Sequence, residues 1–205
     1  VAYLKDNKYH SIVSITTISF DIFIFETLIS LQKGLKLIIA NEKEQNIPAC
    51  LDELIKKENI EIIQTTPSRM QFFYNNIDSM PHLSCLKFIT LAGEQLPISL
   101  VNSLKHSIPG VTIYNGYGPS ETTVFATLTD VTNKETISIG KALSNTQIYI
   151  LNDSNQLCPI GVSGEICISG AGVGKGYINN DALTKKSFIT DPFANSSIMY
   201  RSGDI

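Results

Sequence analysis

The chain is predicted to fold as an α/β protein, a mostly parallel sheet flanked by helices and followed by a smaller β-rich, barrel-like subdomain. Two observations predict this. Through residues 1–130, short apolar runs alternate with stretches of helical periodicity, the pattern of strands joined by crossover helices. From about Val131 onward, strand signals follow one another with turn residues between them. The expected division is therefore an α/β part over 1–130 and a β-rich part over 131–205. The 205 residues are enough to bury a sizeable core. A hydrophobic share of 43% with 17% charged residues describes an ordinary globular protein.

Residues 12–15 form the first apolar strand, and residues 21–32 a helix closed by Gly34. Residues 35–40 read as a strand. Residues 50–58 read as a helix, with Leu51, Leu54 and Ile55 at helical spacing and lysines in the last turn. Then come strand 60–65, helix 67–76 opening on Pro67, strand 86–92, helix 97–107 and strand 111–115. Helices of this length between strands imply parallel pairing with both faces covered. In the second part, residues 148–152, 164–169 and 198–201 are strands, and only 181–188 offers a short helix.

Several function classes are excluded. The formal charge is −3, and no basic block with interleaved aromatics appears, so no nucleic-acid partner is expected. The longest apolar region, 18–40, is broken by Asp21, Glu26, Lys33 and Lys36, too many charges for a membrane span. The first residues, VAYLKDNKYH, lack a positive start followed by an apolar run, so a signal peptide is not expected there. Cys50, Cys85, Cys158 and Cys167 are scattered without a C-x-x-C pair, as expected of reduced thiols in a cytoplasmic protein. The chain starts at Val1 and stops directly after YRSGD with Ile205, so an excised segment of a longer protein is expected.

Four stretches could carry chemistry, and each has a plainer reading beside it. YNGYGPSETT (114–123) follows a strand of the parallel sheet, where ligands of such folds bind. Its glycines would let the backbone approach a ligand, Tyr117 offers a flat face, Ser120, Thr122 and Thr123 offer hydroxyls, and Glu121 offers a carboxylate for a divalent cation. Equally, it is a glycine–proline surface turn. GEICISGAGVGKGY (164–177) is not a P-loop, because Gly176 and not a hydroxyl residue follows Lys175. It is a flexible turn or a second ligand loop. Within 19–31, Asp21 either caps the helix that follows or, surrounded by Phe20, Ile22, Phe23 and Phe25, meets a ligand cation. In YRSGD, Asp204 either accepts from vicinal hydroxyls or shapes a turn.

In this order the motifs resemble those of one family, the adenylation domains of nonribosomal peptide synthetases within the adenylate-forming superfamily. F-D-x-x-x-x-E stands as FDIFIFE, the A-G-E turn as Ala92-Gly93-Glu94, N-x-Y-G-P-[ST]-E as NGYGPSE, the second glycine loop as GEICISGAGVGKGY, and Y-[RK]-[TS]-G-D as YRSGD. The resemblance covers nearly the whole chain. Departures are small: Ser120 and Ser202 replace the usual threonine, and Gly174-Lys175 replaces alanine-arginine.

The resemblance implies that an amino-acid carboxylate attacks the α-phosphate of ATP, and that the acyl group then passes to the phosphopantetheine thiol of a carrier domain. It implies Mg²⁺ on Glu121, Ser120 at the α-phosphate, Tyr117 stacked on adenine with Asn115, Gly116 and Gly93 near its edge, and Asp204 on the ribose. Asp21 would take the substrate's α-ammonium, and Ile22, Phe25, Gln64, Thr90, Ala92, Gly116, Val124 and Phe125 would line its side-chain pocket. That wall carries no counter-charge, so a neutral, small to medium side chain is expected. A carrier domain and a condensation domain on the same chain are the implied partners. The family's phosphate loop and catalytic lysine are not in these residues, so the segment alone is expected to be inactive. The rivals are an acyl- or aryl-CoA ligase, a D-alanine–carrier protein ligase, and a non-catalytic nucleotide-binding module.

Overall fold

The computed structural model describes residues 9–194 and 197–205. The chain forms two compact units that interleave in sequence, one of residues 1–116 with 129–139 and the other of 117–128 with 140–205. The boundary expected at residue 130 falls at the end of a strand.

The first unit is built in chain order from β1 (Ser11–Ser14), α1 (Ile22–Ile24), α2 (Ser30–Lys33), β2 (Lys36–Ile39), α3 (Glu42–Asn46), α4 (Pro48–Glu58), β3 (Ile62–Thr65), α5 (Pro67–Asn75), β4 (Phe88–Ala92) and α6 (Ile98–Ser107). β5 (Thr112–Tyr117) and β6 (Thr127–Asp130) follow, and the sheet order is β2-β1-β3-β4-β5-β6. The pairings β1–β2, β1–β3, β3–β4 and β4–β5 are all parallel. Every residue of β1, β3 and β4 is buried, which is why these strands carry no alternation of apolar and charged residues, although β3 includes the polar Gln64. The main core packs Val13, Ile63, Ile89, Leu91 and Ile113 of the sheet against Leu51, Ile55, Met70, Phe73, Leu100 and Leu104 of the helices. A smaller cluster of Ile12, Ile62 and Phe88 receives Ile29, Leu35, Leu37 and Tyr114.

Helix ends follow local chemistry. Gly34 (φ 67°) and Asn59 (φ 52°) take the left-handed conformation that stops α2 and α4. Thr66 caps α5 ahead of Pro67. Asn41 and Glu44 form a reciprocal capping box that starts α3, a helix the apolar periodicity did not predict because it has no buried face.

Between α1 and α2 the helix widens into a π stretch, Phe25–Ile29, and Glu26 is fully buried within it. Its carboxylate accepts from the Ser14 hydroxyl (2.5 Å), the Thr16 hydroxyl (2.7 Å) and the Thr16 N–H (3.3 Å). Three donors offset the cost of burying the group and tie the helix to the end of β1. Burial nevertheless holds the Glu26 carboxyl above its ordinary 4.5. The folded state therefore favours the acid more than the unfolded state does. Wild type is expected to gain most over Glu26→Gln below about pH 4.5. That advantage shrinks as pH rises through the raised value, which parallel denaturation curves at several pH values would show. Glu26→Ala leaves buried donors unpaired and is expected to cost about 3 kcal/mol.

The second unit holds β7 (Thr146–Leu151), β8 (Glu165–Gly170), α7 (Asp181–Ser187), β9 (Phe188–Thr190) and β10 (Ile198–Arg201). Its four strands pair antiparallel in the order β7-β8-β10-β9. Leu151, Cys167 and Met199 form its buried cluster. All four cysteines are unpaired. Among the described residues no helix is long and apolar enough to cross a membrane.

Candidate functional site

In the first unit, sheet register gathers residues that are far apart in sequence. Gln64 of β3 lies opposite Thr90 of β4, and Ala92 lies opposite Gly116 of β5. Side chains alternate along a strand, so Gln64, Thr90, Ala92 and Gly116 share one face. That face continues the smaller cluster of Ile62 and Phe88. The helix beginning after Asp21 lies over the same face, because Ile29 packs on that cluster and Glu26 bonds Ser14, two residues beyond Ile12. Asp21, Ile22 and Phe25 thus open the helix that covers the face bearing the four sheet residues.

Asp21 does not cap this helix. Its backbone is already helical (φ −62°, ψ −25°) and its side chain makes no cap bond. Its Oδ2 is buried without a hydrogen-bond partner. Gln64 is wholly buried, and neither Oε1 nor Nε2 of its amide has a partner. Buried polar atoms are normally paired, and these three have no partner within the protein.

The nucleotide-edge candidates of this unit are placed differently. Asn115 lies opposite Leu91, on the other face of the sheet, and its Nδ2 donates to the Ser138 carbonyl at 2.9 Å. Gly93 makes the turn after β4 at φ 86°, which only glycine adopts without strain. Beside it, Glu94 accepts from the Ser68 N–H (2.9 Å) and hydroxyl (2.7 Å), holding the first turn of α5.

In the second unit, residues 117–126 close on themselves. The Ala126 N–H donates to the Tyr117 carbonyl at 2.9 Å, and Ser120–Thr122 forms a single 3₁₀ turn after Pro119. Thr123 (φ 65°) and Val124 (φ 67°) both sit in the left-handed region, uncommon for a threonine and costly for a branched valine. A Cβ on Gly118 would stand 2.6 Å from the Ala126 nitrogen and the Val124 carbonyl oxygen. These are backbone atoms and cannot swing away. Gly118→Ala is therefore expected to cost about 2 kcal/mol or more, read as a lowered denaturation midpoint.

Polar groups of this loop are engaged within the unit. The Tyr117 hydroxyl donates to Asp204 Oδ2 at 2.6 Å. Burial, and then that carboxylate, push the Tyr117 hydroxyl up to about 12. Ser120 is exposed at the head of the turn. Glu121 Oε1 accepts from the Tyr177 hydroxyl at 2.6 Å, and the Tyr200 hydroxyl lies 3.4 Å from that of Tyr177. Burial and these neighbours hold the Tyr200 hydroxyl far above its ordinary value. Phe125 is buried and Val124 half-buried. Among the described residues no three His, Cys, Asp or Glu side chains cluster to hold a metal unaided. A single carboxylate such as Glu121 suits Mg²⁺, which binds through one or two carboxylates and completes its shell with water and phosphate oxygens.

Sequence reasoning passed over Glu26, Tyr177 and Tyr200 as site groups. Glu26 and Tyr177 each close, and Tyr200 opens, a motif that had been read for other residues, so the signal was in view. What was missing was the long-range partner.

Comparison with known proteins shows the family to which the chain belongs. The AMP-binding enzyme family matches residues 2–178. The chain belongs to that family. It is 40% identical over 207 residues to gramicidin S synthase 2 of Brevibacillus brevis, covering 97% of this chain and 5% of the synthase. Against surfactin synthase subunit 3 of Bacillus subtilis it is 37% identical over 211 residues, covering 100% of this chain and 16% of that subunit. It thus spans only a small part of these relatives. The solved structure of CmiS6 shares the fold with a TM-score of 0.88 at 20% identity, over 98% of this chain and 50% of that one. The nonribosomal peptide synthetase FmoA3, in an AMPPNP-bound form, does so with a TM-score of 0.86 at 20% identity, over 95% and 22%.

Proposed function

We propose that, in its full-length context, this chain activates an amino acid with a neutral side chain as the aminoacyl-adenylate. The observation that carries the reading is the buried, unpartnered Asp21 Oδ2 at the start of the helix over the sheet face. A substrate α-ammonium supplies the cation it lacks. Gln64, Thr90, Ala92 and Gly116 on that face, with Ile22 and Phe25 of the helix, are assigned to the side-chain pocket. The two unpaired atoms of Gln64 favour a side chain that is neutral and small enough to leave room for water or itself able to hydrogen-bond.

The reaction asks for charge to be spread on the α-phosphate while a substrate carboxylate oxygen bonds to phosphorus and pyrophosphate departs with its oxygen. Ser120 is assigned to donate to an α-phosphate oxygen, Tyr117 to stack on adenine, Asn115 and Gly93 to bound its edge through backbone and turn, and Asp204 to accept from the ribose hydroxyls. Asp204 retains one carboxylate oxygen beside the one bonded to Tyr117. Glu121 is assigned to hold Mg²⁺, which when bound neutralises phosphate charge. The phosphopantetheine thiol of a carrier domain is then assigned to take the acyl group, the thioester forming as the acyl–phosphate bond breaks and AMP and the thiol proton depart, with a condensation domain as neighbour, in the cytosol. The AMPPNP-bound form of FmoA3 supports the nucleotide assignment by analogy of fold.

Amino-acid-dependent ATP–pyrophosphate exchange by the full-length protein, screened over all amino acids, tests this. Exchange with neutral side chains is expected. Highest exchange with glutamate or lysine would overturn the pocket assignment, and none with any amino acid would overturn the function. The 205-residue chain alone is expected to show no exchange.

A further inference from the structure

The glycine-rich stretch 164–177 has no part in the reaction as assigned, yet its contacts within the second unit are specific. The Gly174 N–H donates to the Glu121 carbonyl at 2.8 Å, and the Thr123 hydroxyl donates to the Gly172 carbonyl at 2.7 Å. A Cβ on Gly172 would lie 2.7 Å from the Thr122 carbonyl oxygen, and one on Gly174 would lie 3.3 Å from the Glu121 carbonyl oxygen. These glycines are demanded by the backbone of the 120–123 turn pressed against them. A phosphate is not what requires them.

Tyr177, at the end of the stretch, is itself held fast. Its N–H donates to the Thr184 hydroxyl of α7 at 2.8 Å. Its ring meets Phe188 edge-on at 5.4 Å, and Phe188 packs against Tyr200 at 5.0 Å. From this support the Tyr177 hydroxyl donates to Glu121 Oε1.

We infer that residues 170–177 form the scaffold of the 120–123 turn, and that Tyr177 is a positioning residue that aims the Glu121 carboxylate at its metal. With Oε1 held by the tyrosine, the carboxylate is fixed in one rotamer and the cation is taken by its remaining lone pairs. The inference rests on the reading of Glu121 as the Mg²⁺ ligand.

Tyr177→Phe in the full-length protein removes the hydroxyl and keeps the ring packing. Mn²⁺ serves as the probe, its binding in the presence of ATP followed by electron paramagnetic resonance of the free ion. The variant is expected to bind Mn²⁺ roughly tenfold more weakly, while metal-free ATP affinity is unchanged. A thermal double-mutant cycle of Tyr177→Phe with Glu121→Ala, which removes the acceptor, is expected to show non-additive midpoint shifts. Unchanged Mn²⁺ binding in Tyr177→Phe, or additive shifts, would overturn the positioning role. Wild type that binds no Mn²⁺ with ATP overturns the metal assignment itself, and the cycle still decides separately whether Tyr177 holds Glu121.

Discussion

Asp21→Ala is expected to lower kcat/KM for the amino acid by roughly a hundredfold to a thousandfold while leaving KM for ATP unchanged. In wild type the unpaired Asp21 oxygen would gain a cation from the bound substrate. Removing one member of a buried, hydrogen-bonded charge pair typically costs about 2–5 kcal/mol, and each 1.4 kcal/mol is about tenfold. Most of that loss is the ammonium left buried without a counter-charge, so it falls on the amino acid rather than on the nucleotide. Asp21→Asn keeps an acceptor oxygen but not the charge, and is expected to fall between alanine and wild type. Exchange kinetics with each substrate varied in turn would separate the effects. Equal losses for both substrates would point to a misfolded helix start instead of a lost ion pair.

The second large effect is at Glu121. Glu121→Gln preserves size and keeps an acceptor for the Tyr177 hydroxyl, so the fold of the loop should survive. What is lost is the full negative charge that a hard cation requires. Exchange is expected to fall by about a hundredfold at a fixed low Mg²⁺ concentration and to recover in part as Mg²⁺ is raised. A loss that Mg²⁺ cannot relieve would argue against metal binding at this carboxylate.

Much of the fold was open to reading because the chemistry is local. A mainly apolar run such as that of β4 belongs to a strand buried on both faces, and Gly34 and Pro67 mark helix ends by conformational necessity. The strands were placed to within a few residues, and the helix 98–107 to within one. The interleaving of the two units was not legible. It depends on residues 117–128 leaving the first unit and 129–139 returning to it, and no residue type announces that exchange. Helix α3 escaped for a different reason: it is held by the Asn41–Glu44 box and not by an apolar stripe. β6 and β9 are short strands whose pairing partners alone identify them.

The candidate residues divide in the same way. Asp21 and Glu121 could be named from their motifs, but that Asp21 makes no cap bond and leaves a buried oxygen unpaired is visible only in the folded chain. Gln64, Thr90, Ala92 and Gly116 acquire a common face only through the register of three strands. Glu26 and Tyr177 depend on partners 10 and 56 residues away, at separations that periodicity cannot see.

The central claim is that the carboxylate of Asp21 recognises an α-ammonium on the acid being adenylated. The direct measurement is pyrophosphate exchange by the full-length protein with its preferred amino acid and with the corresponding des-amino acid, which has the same side chain and carboxylate. The amino acid is expected to support exchange and the des-amino acid to fail, with Asp21→Ala narrowing the difference between them. Equal exchange with both by the wild-type protein would contradict the account and make the chain part of an acyl- or aryl-acid ligase.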